Sequence, residues 1–397
     1  MTAQLESTAS TNRRGRLVMV GTGITAVSQM TLEAVGYIQR ADVVFYHVTN
    51  GPAATHIRKL NANAVDLYEY YGEGKKRRIT YVEMAELMLR EVRRGLTVVG
   101  VFHGHPGYFV SPARRALAIA SLEGHETAML PGVSAPDCMF SDLRVDPGVY
   151  GCQIVMASRV FQKKSIIAKT GHVVFLQVSA VGDSGFSFSG YKNGTLPDFI
   201  EKLIQIYGEE QDSVYYMASI FPGFEPVINA RKLSDYRDAA TLQSIGAGIL
   251  YLPPKGVTLA SLQSAQSFTA GTAYGDFETS VVEKLDAHQT PAEFRLRQAS
   301  EPLYRAMAEL GTDAQARELY LRSPSEFVNR FPELSMEERR AMERRDIGAV
   351  RAASTFLWSN YRALGANMAR ENGVDPQENG SPEKTTPSLC DPRSITD

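Results

Sequence analysis

The sequence predicts an α/β fold followed by an all-helical region and a polar tail. Short runs rich in β-branched residues alternate with amphipathic runs as far as Pro253-Pro254, a pattern that favours a mostly parallel sheet. Residues 280–370 are then rich in Ala, Glu, Arg and Leu, which is typical of helices, and almost no apolar residue follows Glu371. The predicted divisions are a disordered lead at 1–14, an α/β region at 15–254, a helical region at 255–370 and a flexible tail at 371–397.

The composition is that of an ordinary globular protein. The chain has 397 residues, of which 44% are hydrophobic and 22% charged, enough for two or three domains. Its 42 basic and 44 acidic residues leave a net charge of −2, so bulk charge favours neither nucleic acid nor a membrane surface as partner. Three cysteines without C-x-x-C spacing favour a reducing compartment, and no apolar run approaches about 18 residues. We therefore expect a soluble cytoplasmic protein without zinc.

The first βα unit ends its strand in glycine. A strand at 16–20 leads into Gly21-Thr22-Gly23, a helix is predicted at 30–39, and a second strand at 42–47. The two glycines resemble part of a dinucleotide fingerprint. However, Ala26 replaces its third glycine and no acidic residue ends the second strand, so this motif is weak.

The remaining elements follow the same periodicity rules. Tyr81 to Val92 is the clearest amphipathic helix, and Ser335 with Glu338 has the form of a capping box. Further strands are predicted at 65–68, 96–102, 126–130, 172–178, 213–218 and 247–252. Helices in the C-terminal region are predicted at 301–310, 313–321, 324–331, 335–344 and 350–364.

Residues 98–109 form the most informative stretch. A run of small and β-branched residues ends in Gly104-His105-Pro106-Gly107, which indicates a buried strand that opens into a loop of accessible backbone. Glycine-containing loops at 21–23 and 131–135 also follow strands of the predicted sheet. Loops at one end of a sheet converge on one cleft, and glycines offer backbone contacts rather than charged clamps. Together they favour a neutral or cationic adenosine ligand, although each alone fits an ordinary tight turn.

A second cluster lies at 66–81. Here a strand ends in a loop that holds three tyrosines and four consecutive basic residues, and a helix is predicted to start at Tyr81. A cation lowers the pKa of a nearby phenol and can hold an anionic oxygen, but a solvated basic loop with tyrosines packed on the sheet is the alternative. His103 and His105 could begin a metal site. No third ligand is evident, so a structural or cofactor-contacting role is favoured.

Across residues 14–254, Gly21-Thr22-Gly23 and the loops at 104–107 and 131–134 together resemble the tetrapyrrole methylase superfamily. Its members bind S-adenosylmethionine between two α/β domains, so the resemblance implies a two-domain class III methyltransferase. Segments 66–81, 86–107 and 129–138 resemble more specifically the borosin peptide N-methyltransferases. In that family a methylase, a helical clasp and a C-terminal core peptide form one chain. The stretch 319–351 resembles its substrate-binding helices, and Asn379-Gly380 lies where its core peptide begins.

The resemblance implies iterative methylation of backbone amides in the chain's own C-terminal peptide or that of a partner protomer, with S-adenosylmethionine as cofactor. An amide nitrogen is a poor nucleophile, so its proton must be removed and negative charge on its oxygen stabilised. The family pattern implies Tyr71 as proton acceptor, directly or through water, Arg77 and Tyr81 as groups that stabilise the oxygen, and Tyr68 as a pocket tyrosine. The implied cofactor-binding residues are Gly21, Thr22, Gly23, Val101, His103, His105, Pro106, Tyr108, Phe109, Ser134, Ala135, Gln177, Ala218 and Gly248.

The tail and the helical region suggest the partners. The tail is polar, and its prolines have no N–H to methylate, which leaves Thr385, Thr386, Ser388, Leu389 and Cys390 as candidate sites. An apolar stripe around Trp358 needs a covering surface, which with the family resemblance favours a homodimer. Three other interpretations stay open: a methyltransferase of tetrapyrroles or other small molecules, one that acts on a separate peptide, and a non-enzymatic peptide-binding module.

Overall fold

The computed structural model describes residues 14–162, 166–192, 194–266, 276–283, 285–289 and 299–346. The chain divides into two compact units. The first reaches His288 and includes Thr312–Ala314, and the second consists of Gln289–Gly311 and the chain from Gln315. The predicted lead before Arg14, the helix predicted at 350–364 and the predicted tail lie outside the described residues.

The first sheet of unit 1 is entirely parallel, with strand order β3-β2-β4-β1-β5. Residues 17–20, in an inner strand of this sheet, have no exposed surface, as expected for a parallel strand covered on both faces. The strands are β1 Arg16–Gly21, β2 Val43–His47, β3 Ala64–Asp66, β4 Thr97–Phe102 and β5 Glu126–Met129. The helices that alternate with them are α1 Leu32–Arg40, α2 Gly51–Leu60, α3 Arg77–Arg93, α4 Ser111–Leu122 and α5 Ala135–Leu143.

The second sheet of unit 1 is mixed, and here the prediction of mostly parallel strands is wrong. Its order is β6-β7-β10-β8-β9, and only β6 and β7 are parallel. The strands β6 and β9 were not predicted, because both lie at sheet edges and lack a continuous buried run. The elements are β6 Cys152–Met156, β7 His172–Leu176, α6 Leu196–Tyr207, β8 Asp212–Met217, β9 Val227–Lys232, α7 Ala239–Gln243, β10 Ile249–Leu252 and α8 Leu259–Gln266.

The helical region agrees with the predicted helices to within a few residues. In unit 2, Phe327 is fully buried in a core with Leu303 and Met342. The capping box is confirmed: the Glu338 N–H donates to the Ser335 hydroxyl at 3.2 Å, and the Ser335 N–H donates to the Glu338 carboxylate at 2.9 Å. The helices are α9 Asp276–Val282, α10 Glu301–Thr312, α11 Ala314–Arg322, α12 Pro324–Val328 and α13 Met336–Glu343.

Two boundaries around the tyrosine loop differ from the prediction. The strand predicted at 65–68 ends at Asp66, whose carboxylate accepts a hydrogen bond from the Tyr68 N–H at 2.9 Å and starts a short 3₁₀ turn. Helix α3 begins at Arg77 rather than at Tyr81. Arg77 and Tyr81 are therefore four residues apart within one helix, which places them on the same face.

The loops after β1 and β4 pack backbone against backbone. The N–H of Gly104 donates to the Gly23 carbonyl at 2.9 Å, and the N–H of Thr22 donates to the Phe102 carbonyl at 2.9 Å. A Cβ atom at Gly21 would overlap the carbonyl oxygen of Gly104. Glycine at position 21 therefore lets the two loops meet at the carboxyl end of the sheet.

We expect Gly21→Ala to lower the free energy of unfolding by about 1–3 kcal/mol, because the added methyl group overpacks this contact. Chemical denaturation measures the change. Gly51→Ala is the matched control, since a Cβ there meets no atom within 4 Å. Equal stability of the two variants would contradict the packing that we describe.

Candidate active site

A cavity of about 450 Å³ lies in unit 1 between the two sheets' loops. Its wall comes from the loops that follow β4 and β5 in the first sheet and from the ends of β7, β8 and β10 in the second. The sequence-predicted cofactor residues that line it are His103, His105, Tyr108, Phe109, Ser134, Ala135, Gln177, Ala218 and Gly248.

The other predicted cofactor residues lie behind this wall. Gly21 and Gly23 support Gly104, and the buried Thr22 donates its hydroxyl to the Gly23 carbonyl at 2.9 Å. Val101 and Pro106 are buried and are not lining residues. The candidate methylation sites at 385–390 lie outside the described residues.

The cavity wall is electrically neutral: none of the described residues that line it is Asp, Glu, Lys or Arg. Ser134 caps α5, because the Asp137 N–H donates to its hydroxyl at 3.4 Å, while the Asp137 carboxylate accepts from the Ser134 N–H at 2.7 Å. Phe109 and Gln177 both have a φ of 57°, a left-handed conformation that costs non-glycine residues on the order of 1 kcal/mol. Such strained residues cluster at functional sites.

A group of three tyrosines and one arginine adjoins the cavity. Tyr71 and Tyr81 lie close enough for each to affect the ionisation of the other, and the guanidinium carbon of Arg77 lies 5.1 Å from the centre of the Tyr191 ring. Tyr191 also lines the cavity, so this Tyr–Arg cluster and the cavity share a wall. Burial raises the pKa of Tyr71 and of Tyr81, while the positive charge of Arg77 acts in the opposite direction on both.

A loop distant in sequence holds this cluster in place. The guanidinium of Arg77 donates to the Asp183 carbonyl, and its backbone N–H donates to the Ser184 carbonyl at 3.0 Å. The Phe186 N–H donates to the Lys75 carbonyl at 2.9 Å. Sequence reasoning missed the contributions of Asp183, Phe186 and Tyr191. The only local signal was the alternation of Gly and Ser with Phe at 182–190.

Aromatic rings extend the cluster to the ends of β2 and β4. Tyr71 stacks on Phe186 with ring centres 4.4 Å apart, and Tyr68 stacks on His47 at 5.8 Å. His47 follows the buried core of β2, and the N–H of His103 donates to its carbonyl at 3.1 Å. Burial, with a smaller effect of His47, lowers the pKa of His103 to about 4. His47 was another residue that sequence reasoning did not select.

Two further features concern metal ligands and membrane-spanning helices. Within the described ranges, no group of three His, Cys, Asp or Glu side chains is arranged to hold a metal ion. Likewise, the described helices include none with the length and apolar character that crossing a bilayer requires.

Comparison with known proteins gives concordant matches along the chain. Residues 16–220 match the model of the tetrapyrrole (corrin/porphyrin) methylases, and residues 273–372 match the borosin biosynthesis clasp domain. The methyltransferase/ribosomally synthesized cyclic peptide dendrothelin A precursor of Dendrothele bispora is 37% identical, with 94% of this chain and 95% of that protein covered. The corresponding omphalotin A precursor of Omphalotus olearius is 35% identical, with the same coverage.

A third relative, the lentinulin A precursor of Lentinula edodes, is 36% identical, with 87% of this chain and 89% of that protein covered. These relatives match nearly end to end rather than over the methylase region alone. The chain therefore belongs to the borosin-type methyltransferases, whose catalytic region is a tetrapyrrole-methylase fold.

Proposed function

We propose that this protein uses S-adenosylmethionine to methylate, iteratively, the backbone amides of its own C-terminal peptide, with the tail of one protomer entering the site of its partner in a homodimer. The relatives named above are each both a methyltransferase and a cyclic peptide precursor, which supports a substrate within the same chain. The observation that carries the proposal is the partly buried Tyr–Arg cluster at the wall of a neutral cavity.

The cavity suits S-adenosylmethionine in size and charge. Its volume lies within the range of about 300–1,000 Å³ that is usual for small-molecule sites. A wall without lysine or arginine lacks the clamps that a phosphate needs and does not repel a cationic ligand. Ser134, Gln177 and the backbone of Gly104 would hold it, with His105 and Tyr108 as aromatic contacts. When bound, S-adenosylmethionine supplies an electrophilic methyl group attached to a positively charged sulfur.

The Tyr–Arg cluster would activate the amide. The positive charge of Arg77 can stabilise negative charge as it develops on the amide oxygen. Tyr81 lies one helical turn further on and would donate a hydrogen bond to the same oxygen. Tyr71 would take up the amide proton, directly or through water. Tyr68 packs against Tyr71, with ring centres 5.3 Å apart, and would form part of the peptide pocket.

Attachment of the substrate would reduce the affinity that the site needs. A tethered tail has an effective concentration in the millimolar range when its linker matches the span. Candidate sites between Thr385 and Cys390 retain their N–H groups, whereas the prolines of the tail do not. Each methyl group added removes a hydrogen-bond donor, so the product segment becomes proline-like in its backbone chemistry.

Filling the cavity should weaken cofactor binding. We expect Ala218→Phe, which places a ring in the cavity wall, to raise the Kd for S-adenosylmethionine by at least about tenfold. A tenfold increase in Kd corresponds to a loss of about 1.4 kcal/mol of binding free energy. Isothermal titration calorimetry measures the change. Ala118→Phe, on the exposed side of α4, is the control. Unchanged affinity in Ala218→Phe would place the cofactor elsewhere.

Removing the cationic side chain should abolish methylation. We expect Arg77→Ala to lose the series of 14-dalton increments, one for each replacement of hydrogen by methyl, because the amide oxygen loses its stabilising charge. Tandem mass spectrometry of the peptide at 381–397, from protein supplied with S-adenosylmethionine, measures the increments. Arg94→Ala, at the exposed end of α3, should retain them.

Two outcomes would change the proposal. If the tail of Arg77→Ala gains methyl groups as fast as the tail of the unaltered protein, the role of Arg77 is rejected. An unmodified tail in a protein that binds S-adenosylmethionine would instead move the substrate to a separate peptide or a small molecule.

Action between protomers can be tested by complementation. Full-length Arg77→Ala chains are mixed with chains truncated after residue 370, which keep Arg77 but lack the tail. We expect methyl groups on the Arg77→Ala tail, since only a partner's site can add them, together with a dimer mass in light scattering. A monomer mass or an unmodified tail would contradict transfer between protomers.

A further inference from the structure

His47 carries a buried nitrogen that lacks a partner. Its Nε2 is inaccessible to solvent and makes no hydrogen bond with any residue that the structure describes. A buried polar atom without a partner is costly and calls for an explanation. The ring stacks on Tyr68 and lies 5.6 Å, centre to centre, from the ring of Tyr71. The unsatisfied nitrogen therefore belongs to a side chain at the edge of the Tyr–Arg cluster.

Methylation by the Tyr–Arg cluster needs a final acceptor for the amide proton. Each methyl transfer to an amide releases one proton, and Tyr71 is the group placed to receive it. Burial, reinforced by the neighbouring Tyr81, raises the pKa of Tyr71 above that of a free phenol, so its hydroxyl is protonated at neutral pH. A protonated phenol can accept a proton only if it passes its own proton to another group. That group has to be a base within reach of the phenol.

We propose that His47 is this base and that its Nε2 receives the hydroxyl proton of Tyr71 when the peptide is bound. The amide nitrogen gains the methyl group, whose former bonding pair stays on the donor's sulfur, and loses its proton to the Tyr71 oxygen. The hydroxyl proton of Tyr71 passes to Nε2 of His47. The imidazolium then returns the proton to bulk solvent past Tyr68, which is 44% exposed.

The surroundings of His47 fit this role. Burial lowers its pKa, so the imidazole is neutral and able to accept a proton at physiological pH. The Asp66 carboxylate acts in the opposite direction and would stabilise the imidazolium once it forms. The other titratable groups that face His47 are His103, in the loop directly after β4, and the phenols of Tyr68 and Tyr71. His103 is itself neutral, since its pKa is about 4.

The inference rests on the proposed function, and its test uses the full-length protein with added S-adenosylmethionine. The rate of methyl increments is followed by mass spectrometry. We expect His47→Gln to lower this rate about 100-fold, the usual lower range for loss of a general base, with the cofactor Kd unchanged within twofold. His56→Gln on α2, outside the site, is the control and should retain the rate.

Chemical rescue distinguishes proton transfer from a structural role. In His47→Ala, added imidazole should restore at least about a tenth of the lost rate, in proportion to its neutral fraction. A slow variant that imidazole does not rescue, or one whose cofactor affinity changes in parallel, would overturn the proposal. If the unaltered protein and His47→Gln methylate the tail at the same rate, only the role of His47 is rejected. An unmethylated unaltered protein would reject the proposed function.

The pH dependence of the unaltered protein gives a second test that needs no variant. With a neutral histidine as acceptor, the rate should stay level from pH 7 to pH 9. It should fall only in acid, below the pKa of about 6.5 of free imidazole, because a protonated His47 cannot accept. A tenfold rise per pH unit between pH 7 and pH 9 would show that ionised Tyr71 acts alone and would overturn the proposal.

Discussion

Backbone hydrogen bonds between residues 74–77 and 184–186 hold the candidate active site together. The first segment leads into α3 and carries Arg77, and the second belongs to a loop more than one hundred residues later in the chain. Their pairing places Phe186 on Tyr71 and brings Tyr191 beneath the guanidinium. Without it the Arg77 side chain would lose the Asp183 carbonyl and the Tyr191 ring that orient it.

The features that were predictable from the sequence are the local ones. Glycine and proline punctuate the loops after β1, β4 and β5, and β-branched runs define the strands before them, so the cleft at the carboxyl end of the first sheet follows from neighbouring residues. The antiparallel pairs of the second sheet do not, because strand direction depends on which distant segments meet. The loop at 183–191 was missed for the same reason. Its backbone pairs with residues 74–77, which lie more than one hundred residues earlier in the chain.

Family resemblance supplied what periodicity could not. The pattern of tyrosines around Arg77 is too sparse to identify a catalytic group on its own, and its assignment depended on similarity to the borosin enzymes. The structure adds that Arg77 and Tyr81 share one face of α3 and that the guanidinium of Arg77 lies over the ring of Tyr191. The dimer, the methylation sites and the roles of individual residues remain predictions.

The anchor of Arg77 has an electrostatic consequence. Its guanidinium is held by the backbone carbonyl of Asp183 and the face of Tyr191, and it forms no salt bridge with the acidic side chains in the described ranges. A carboxylate in the same place would fix the side chain equally well but would cancel its charge at short distance. Dipoles and ring faces orient a cation without neutralising it. The protein thereby keeps a full positive charge, fixed in direction, beside a cavity whose wall has none.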